Sequence, residues 1–406
     1  GSCWSANGKL VDAGSMRYAI FRGGLLDSPA RRVAWPFLLG VFEWQSTTRE
    51  RKEKLELLRM TYSSLVNHWR DTFRKAFAYA ATQKDAAKYE TLFEVDFDNN
   101  TEFLDANSAV EACKDRGQRS GDDIELCDEG GSLLDLLEIR SRIEKDIVRT
   151  DRKLESFRGQ ENPRLAMMLR ILATYALRNM SVGYCQGMSD LVTPLMMIFT
   201  SCGSMESDYS SVLFGFDAKR GDEEVMTFWC FNALMERVDA NFQDDQAGIH
   251  TQLRHVAMII QRADPELAEY FELADSQYYC CFRWILLQFK REFDIEDVSR
   301  LWEILWLDYF AESNLHIYIT AALLIHRRSE ILKLPRKFDS ILRFVNNMSN
   351  QLDVIEAIDL GVRLYGRVGD KLSDTFSNTA GPTASSPQVS SRALLRENDI
   401  WSWFLV

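Results

Sequence analysis

A short polar segment near residue 146 combines residue types that could act on a phosphoryl group. It reads Ile143-x-x-Asp146-x-x-Arg149-Thr150, which places Asp146 and Arg149 three residues apart on a helix, where the two side chains can pair. The planar guanidinium carries five N–H donors, which suit the spread negative charge of a transferring phosphoryl group. The plain alternative is a surface ion pair, which contributes less than about 1 kcal/mol to stability.

A second polar segment follows in the same half of the chain, Tyr184-Cys185-Gln186-Gly187-Met188-Ser189-Asp190. The amide of Gln186 offers both donors and an acceptor, which is what holding one water molecule in line requires. Gly187 allows a close backbone approach, and Asp190 could cap a helix or hold a cation. The competing interpretation is a capped helix start before the apolar segment Leu191–Phe199.

An earlier motif carries no chemistry of its own. Trp35, Leu38 and Leu39 share one helical face, and the following Gly40 is typical of a helix C-terminus. Packing is therefore the expected role of the full string, Arg31-x-x-x-Trp35-x-x-Leu38-Leu39-Gly40.

The composition excludes several other classes of function. The net charge of −12 disfavours binding to nucleic acid and gives no general attraction to anionic lipid. The five histidines are dispersed, and the chain lacks a glycine-rich phosphate loop, so neither a bound metal nor a bound cofactor is expected. The eight cysteines show no regular spacing and are expected to be reduced thiols. The longest apolar stretch is too short to span a bilayer, so we expect a soluble, cytoplasmic protein.

Helices must position these motifs, because apolar residues recur at helical spacing and only eight prolines occur. The pattern predicts an all-α protein without repeats. A capping box at Thr47 and Glu50 opens a long amphipathic helix over 48–75. Buried stripes run from Leu165 to Ala173 and from Val298 to Trp306. Further helices are predicted near 225–238, 250–262, 281–291, 315–333, 339–350 and 353–364.

The three motifs, in this order, resemble the signature of the TBC-domain Rab GTPase-activating proteins: R-x-x-x-W-x-x-L-L-G, I-x-x-D-x-x-R-T and Y-x-Q-G-M-x-D. Other strings, such as Phe21-Arg22-Gly23-Gly24, are similar to the branch that regulates vacuolar and late-endosomal Rabs. The resemblance implies a two-lobed helical TBC domain over 15–365. The remaining bounds are a lead at 1–14, lobes at 15–245 and 246–365, loop insertions at 76–132 and 201–224, a linker at 366–392 and an apolar tail at 393–406.

The same resemblance implies a role for each motif. Arg149 and Gln186 would act as an arginine finger and a glutamine finger, supplied in trans to a GTP-loaded Rab, so the chain would be an activator and not itself an enzyme. Asp146 would orient Arg149, while Tyr184, Gly187 and Asp190 would shape the glutamine turn. Thr150 and Arg152 would hold the arginine loop or touch the GTPase. GTP and Mg²⁺ would belong to the partner, and the Rab would recruit the chain to endomembranes.

Two alternatives stay open at this point. The same helical fold could bind a Rab or an adaptor as a scaffold without accelerating hydrolysis. In addition, the terminal Trp403-x-x-Val406 could dock into an aromatic pocket on an autophagy-type adaptor. The tail could also fold back, and it or the 201–224 segment could cover the catalytic face.

Overall fold

A computed structural model describes residues 5–81, 130–159, 162–200, 221–243, 245–307 and 314–369. Every regular element in these ranges is helical, which confirms the predicted all-α class. The chain forms two compact units, one of Gly1–Met16 with Leu26–Asp239 and one of Arg17–Leu25 with Ala240–Val406. None of the described helices has both the length and the apolar character needed to cross a membrane.

The first unit carries all three motifs. Helix α1 (Ala13–Gly23) begins in it and continues into the second unit. Its other described α-helices are α2 (Ser28–Leu38), α3 (Thr48–Ala81), α4 (Gly130–Ile147), α5 (Pro163–Arg178), α6 (Met188–Thr200) and α7 (Asp222–Val238). A 3-10 turn, Glu155–Phe157, lies between α4 and α5.

Helix α2 has the packing role predicted for the first motif. The Asp27 side chain caps its N-terminus by accepting a hydrogen bond from the Ala30 backbone N–H, 2.8 Å away. Arg31 and Trp35 are buried. Gly40 has a φ of +78°, a conformation that favours glycine and ends the helix as predicted.

The capping box of α3 is present as predicted. The Thr47 N–H donates to Glu50 Oε2 at 2.7 Å, and the Glu50 N–H donates to Thr47 Oγ1 at 3.2 Å. The helix is amphipathic as predicted, with Leu55, Tyr62 and Trp69 buried on its apolar face. The helix runs to Ala81, beyond the predicted end at 75.

A buried ionic cluster ties α3, α5 and α7 together. Glu224 on α7 accepts two hydrogen bonds from Arg170 on α5, with Nε to Oε1 at 2.8 Å and Nη2 to Oε2 at 2.6 Å. Tyr62 on α3 donates its hydroxyl to the same carboxylate at 2.7 Å. Helix α5 leads directly into the second polar segment. By holding α5 against α3 and α7, the cluster therefore also holds the start of that segment in place.

Within its described residues, the second unit contains most of α1 and eight further α-helices. Asp264, Asp294 and Asp353 cap three of these helices by accepting hydrogen bonds from backbone N–H groups. The helices are α8 (Ala247–Ala263), α9 (Pro265–Ala274), α10 (Phe282–Leu286), α11 (Ile295–Trp306), α12 (Leu315–His326), α13 (Arg328–Ile331), α14 (Phe338–Asn347) and α15 (Val354–Val368). Two 3-10 turns, Asp239–Asn241 where the chain passes from the first unit to the second and Tyr279–Cys281 before α10, complete the described elements.

Three sequence predictions need correction. The helix predicted over 281–291 ends at Leu286, because Gln288 and Phe289 have φ values of +47° and +62° that no α-helix accommodates. The helix predicted over 315–333 is divided in two at Arg327. The loop predicted over 201–224 stops earlier, since α7 begins at Asp222. The rest of that loop, most of the 76–132 insertion and residues 370–406, including the W-x-x-V motif, lie outside the described residues.

Candidate functional site

Arg149 lies in the turn that follows α4. The backbone N–H groups of Arg149 and Thr150 both donate to the Asp146 carbonyl oxygen, at 3.1 and 3.0 Å, so the last turn of α4 closes beneath the arginine. The Arg149 side chain is 58% exposed, whereas the Asp146 side chain is only 9% exposed. The Arg149 guanidinium is therefore exposed to solvent, while the carboxylate that binds it is buried.

The Asp146 carboxylate joins the two polar motifs. Its Oδ1 accepts hydrogen bonds from Nε of Arg149 at 3.0 Å and from Nη2 of the same guanidinium. Its Oδ2 accepts a hydrogen bond from the Tyr184 hydroxyl at 2.8 Å. The ion pair expected from the i, i+3 spacing is thus present, and the second oxygen extends it to the other motif.

The phenol of Tyr184 stays a hydrogen-bond donor over the whole physiological pH range. Burial raises the pKa of Tyr184 well above its usual value, and the hydrogen bond to the Asp146 carboxylate raises it further. The Tyr184–Asp146 contact therefore does not titrate near neutral pH.

Gln186 is exposed at the tip of a tight turn between α5 and α6. Gly187 follows with a φ of +105°, which an L side chain adopts only under strain, and its carbonyl oxygen accepts a hydrogen bond from the Asp190 N–H at 3.0 Å. Helix α6 consequently begins at Met188, three residues before the predicted apolar run. Asp190 is buried in the first turn of this helix.

A second contact between the two motifs involves a residue to which the sequence pattern gave no role. The Thr150 hydroxyl lies 2.9 Å from the Ser189 hydroxyl, and both side chains are buried. Thr150 Oγ1 also donates to the Asp146 carbonyl oxygen at 2.8 Å. The one available signal was that Ser189 stands inside the Tyr184–Asp190 string, since spacing alone cannot pair residues 39 positions apart.

Arg152 stabilises the loop after Arg149. One of its Nη atoms donates to the carbonyl oxygens of Phe157 and Gly159, at 2.8 and 2.9 Å. These bonds close the loop onto itself. The first motif lies on α2, which packs against α6, where Arg32 Nε donates to the Ile198 carbonyl oxygen at 3.3 Å.

The arrangement can supply one cation and one amide side chain to a bound partner. Among the residues that the structure describes, no three His, Cys, Asp or Glu side chains are grouped so as to hold a metal ion. Arg149 and Gln186 are the exposed cationic and amide side chains that the two polar motifs carry here.

Comparison with known proteins identifies the class to which this fold belongs. The sequence model described as the Rab-GTPase-TBC domain matches residues 123–332. The chain belongs to this Rab-GTPase-TBC domain family.

Individual relatives agree with this assignment. The GTPase-activating protein gyp7 of Schizosaccharomyces pombe is 30% identical over 387 residues, covering 92% of this chain and 42% of that protein. TBC1 domain family member 17 of Homo sapiens is 29% identical over 359 residues, covering 88% of this chain and 44% of that protein. The fold is shared with the crystal structure of the Ypt/Rab-GAP domain of Gyp1p, with a TM-score of 0.61, 19% identity and coverage of 90% of this chain and 94% of that one. The chain spans under half the length of the curated relatives named here.

Proposed function

We propose that the protein accelerates GTP hydrolysis on a Rab small GTPase by supplying Arg149 and Gln186 in trans. The family to which the chain belongs and the gyp7 relative, which is named as a GTPase-activating protein, support this activity. The site supports the choice of residues, because these two side chains are exposed while the groups that hold them are buried.

The observation that carries the proposal is the shared carboxylate of Asp146. It binds the Arg149 guanidinium with one oxygen and the Tyr184 hydroxyl with the other, so one buried group fixes the arginine turn and the start of the glutamine turn together. A surface ion pair without function would not need this second connection. Two loops held in this way can act on one small target, such as a γ-phosphate and its attacking water.

Each exposed side chain has a defined role in the proposed mechanism. Arg149 neutralises the negative charge that develops on the γ-phosphoryl oxygens, an effect of roughly 10³ to 10⁵ in rate, or about 4 to 7 kcal/mol of barrier. Gln186 holds the attacking water in line, its amide accepting from the water and donating to the phosphoryl group. Neither role requires a nucleotide site on this chain, because GTP and Mg²⁺ arrive bound to the Rab.

The proposed location follows from the proposed partner. Rabs act on endomembranes, so this chain would be recruited there through the Rab it binds, as a peripheral protein. Asp190 and Gly187 would support the glutamine turn from the start of α6, and Thr150 and Arg152 would support the arginine loop.

The test is single-turnover GTP hydrolysis by a panel of GTP-loaded Rabs, with wild type, Arg149→Ala and Gln186→Ala. Wild type should accelerate at least one Rab, and each substitution should remove most of that acceleration. Arg142→Ala is the matched control, because Arg142 is an exposed arginine on α4, seven residues before Arg149 and outside the site. The proposal fails if no Rab responds. It also fails if Arg149→Ala and Arg142→Ala accelerate hydrolysis equally. In that case a Rab-binding scaffold explains the shared TBC fold better.

A further inference from the structure

We infer that Ser189 is a positioning residue that holds the arginine turn in its active orientation through Thr150. The inference rests on the proposed function and adds to it a residue that touches neither the Rab nor the nucleotide. Its basis is the hydroxyl pair that links the first turn of α6 to the residue directly after Arg149.

The direction of the hydrogen bonds identifies Ser189 as the donor. Thr150 uses its single hydroxyl proton on the Asp146 carbonyl oxygen, 2.8 Å away. The 2.9 Å contact between Thr150 Oγ1 and Ser189 Oγ therefore requires the proton of Ser189. The chain of donors runs from Ser189 to Thr150 to the backbone of Asp146, whose carboxylate binds Arg149.

The Ser189–Thr150 hydrogen bond restrains a rotation of the arginine turn that the Tyr184–Asp146 hydrogen bond leaves possible. The Tyr184–Asp146 hydrogen bond joins the two motifs at one point, about which the arginine turn could still rotate. The Ser189–Thr150 bond joins them at another point, on the far side of Arg149 in the sequence. Two separated connections fix the turn in orientation as well as in position, and a misplacement of about 1 Å near a reacting group can cost roughly 10²-fold in rate.

Removing the Ser189 hydroxyl should change the rate more than the fold. In Ser189→Ala, Thr150 keeps its bond to Asp146, so no buried donor loses its partner and the stability loss stays small. We expect kcat to fall about tenfold with KM within about twofold of wild type, because the Rab-binding surface is unchanged. Thr150→Val should lower kcat similarly, whereas Thr150→Ser, which keeps the hydroxyl, should retain most of the activity.

Thr227→Val is the matched control for a buried hydroxyl. Thr227 is fully buried and donates to the Glu223 carbonyl oxygen within α7, a helix that carries no motif residue. This variant should lose a comparable amount of thermal stability and keep its kcat. Ser189→Ala should therefore have a lower kcat than Thr227→Val and a similar melting temperature.

The deciding experiment places Ser189→Ala in wild-type and Arg149→Ala backgrounds, and measures single-turnover hydrolysis by the Rab that wild type accelerates most in the panel. If Ser189 acts through the arginine turn, its substitution costs about tenfold in wild type and under twofold once Arg149 is gone. An equal loss in both backgrounds, a loss shared by Thr227→Val, or a kcat within twofold of wild type overturns the inference. A wild-type chain that activates no Rab overturns the proposed function and this inference together, whereas active wild type with an unaffected Ser189→Ala overturns the inference alone.

Discussion

Replacing Asp146 by Asn would test how the candidate finger is oriented. The substitution keeps the shape of the side chain but turns one acceptor oxygen into an NH₂ group. Since both oxygens of Asp146 accept hydrogen bonds, one from Tyr184 and the other from Arg149, the amide must oppose one of these donors. Arg149 also loses the charge that attracts it.

The contacts give the expected size of the effect. Arg149 is 58% exposed, so the ion pair adds less than about 1 kcal/mol to folding. A hydrogen bond to a charged group contributes about 1.5 to 3 kcal/mol, and if some 2 kcal/mol of it holds the guanidinium in place, its loss slows hydrolysis about 30-fold. Tyr184→Phe removes only the contact to the other oxygen and should cost about fivefold.

The assay is single-turnover hydrolysis at saturating activator, with Glu144→Gln as the control. Glu144 lies on the same helix and accepts a hydrogen bond from Arg140 Nε at 2.7 Å, so its substitution breaks an i, i+4 ion pair of α4 that does not touch Arg149 and whose arginine is more deeply buried. Asp146→Asn should lower kcat about 30-fold and leave KM nearly unchanged, and Glu144→Gln should lower only stability. Equal kcat values in Asp146→Asn and Glu144→Gln would refute the orienting role of Asp146, and so would a larger loss of kcat in Tyr184→Phe than in Asp146→Asn.

Three further predictions follow from single positions. Gly187→Ala forces a side chain onto a φ of +105° and should lower kcat about tenfold in the hydrolysis assay, whereas Gly40→Ala, at a φ of +78° outside the site, should lower only the melting temperature. Val148→Asp should raise KM about tenfold with kcat nearly unchanged, because this 55% exposed apolar side chain precedes Arg149 and would lie against the Rab; an unchanged KM would contradict that placement. Burial, together with a smaller effect of the neighbouring charge of Arg254, lowers the pKa of His255 from 6.5 to about 4, so the unfolded chain takes up a proton first as the pH falls. The contribution of neutral His255 to folding stability is complete above pH 6.5 and decreases by about 2 kcal/mol by pH 5. The melting temperature should therefore fall less between pH 7 and pH 5 in His255→Phe than in wild type. Equal falls in the two proteins would refute this assignment.

Local sequence signals predicted most of the helices correctly. The capping box at Thr47 and the buried stripe ending at Trp306 both depend on neighbours within one or two turns, and both are present. The helix predicted over 281–291 was wrong because Gln288 and Phe289 adopt positive φ values. Neither glutamine nor phenylalanine favours positive φ values, so the residue types do not predict this conformation, which depends on the packing of the two buried side chains.

In the candidate site, too, the local contacts could be predicted from the sequence and the distant contacts could not. The Asp146–Arg149 pair could be predicted, because three residues separate its members on a helix. The contacts that join the motifs, Asp146 with Tyr184 and Thr150 with Ser189, link positions 38 and 39 residues apart. No spacing rule predicts such pairs, so the roles suggested for Tyr184 and Thr150 came from the family resemblance, and the role of Ser189 required the structure.

The central claim is that Arg149 binds the transition state of hydrolysis and not merely the Rab. The most direct measurement compares wild type and Arg149→Ala in their affinity for a responsive Rab loaded with GDP, with and without aluminium fluoride, which mimics the transferring phosphoryl group. Fluoride should strengthen binding to wild type at least a hundredfold. Arg149→Ala should lose this gain and still bind the Rab loaded with a non-hydrolysable GTP analogue as wild type does. Equal strengthening by fluoride in both proteins would contradict the claim.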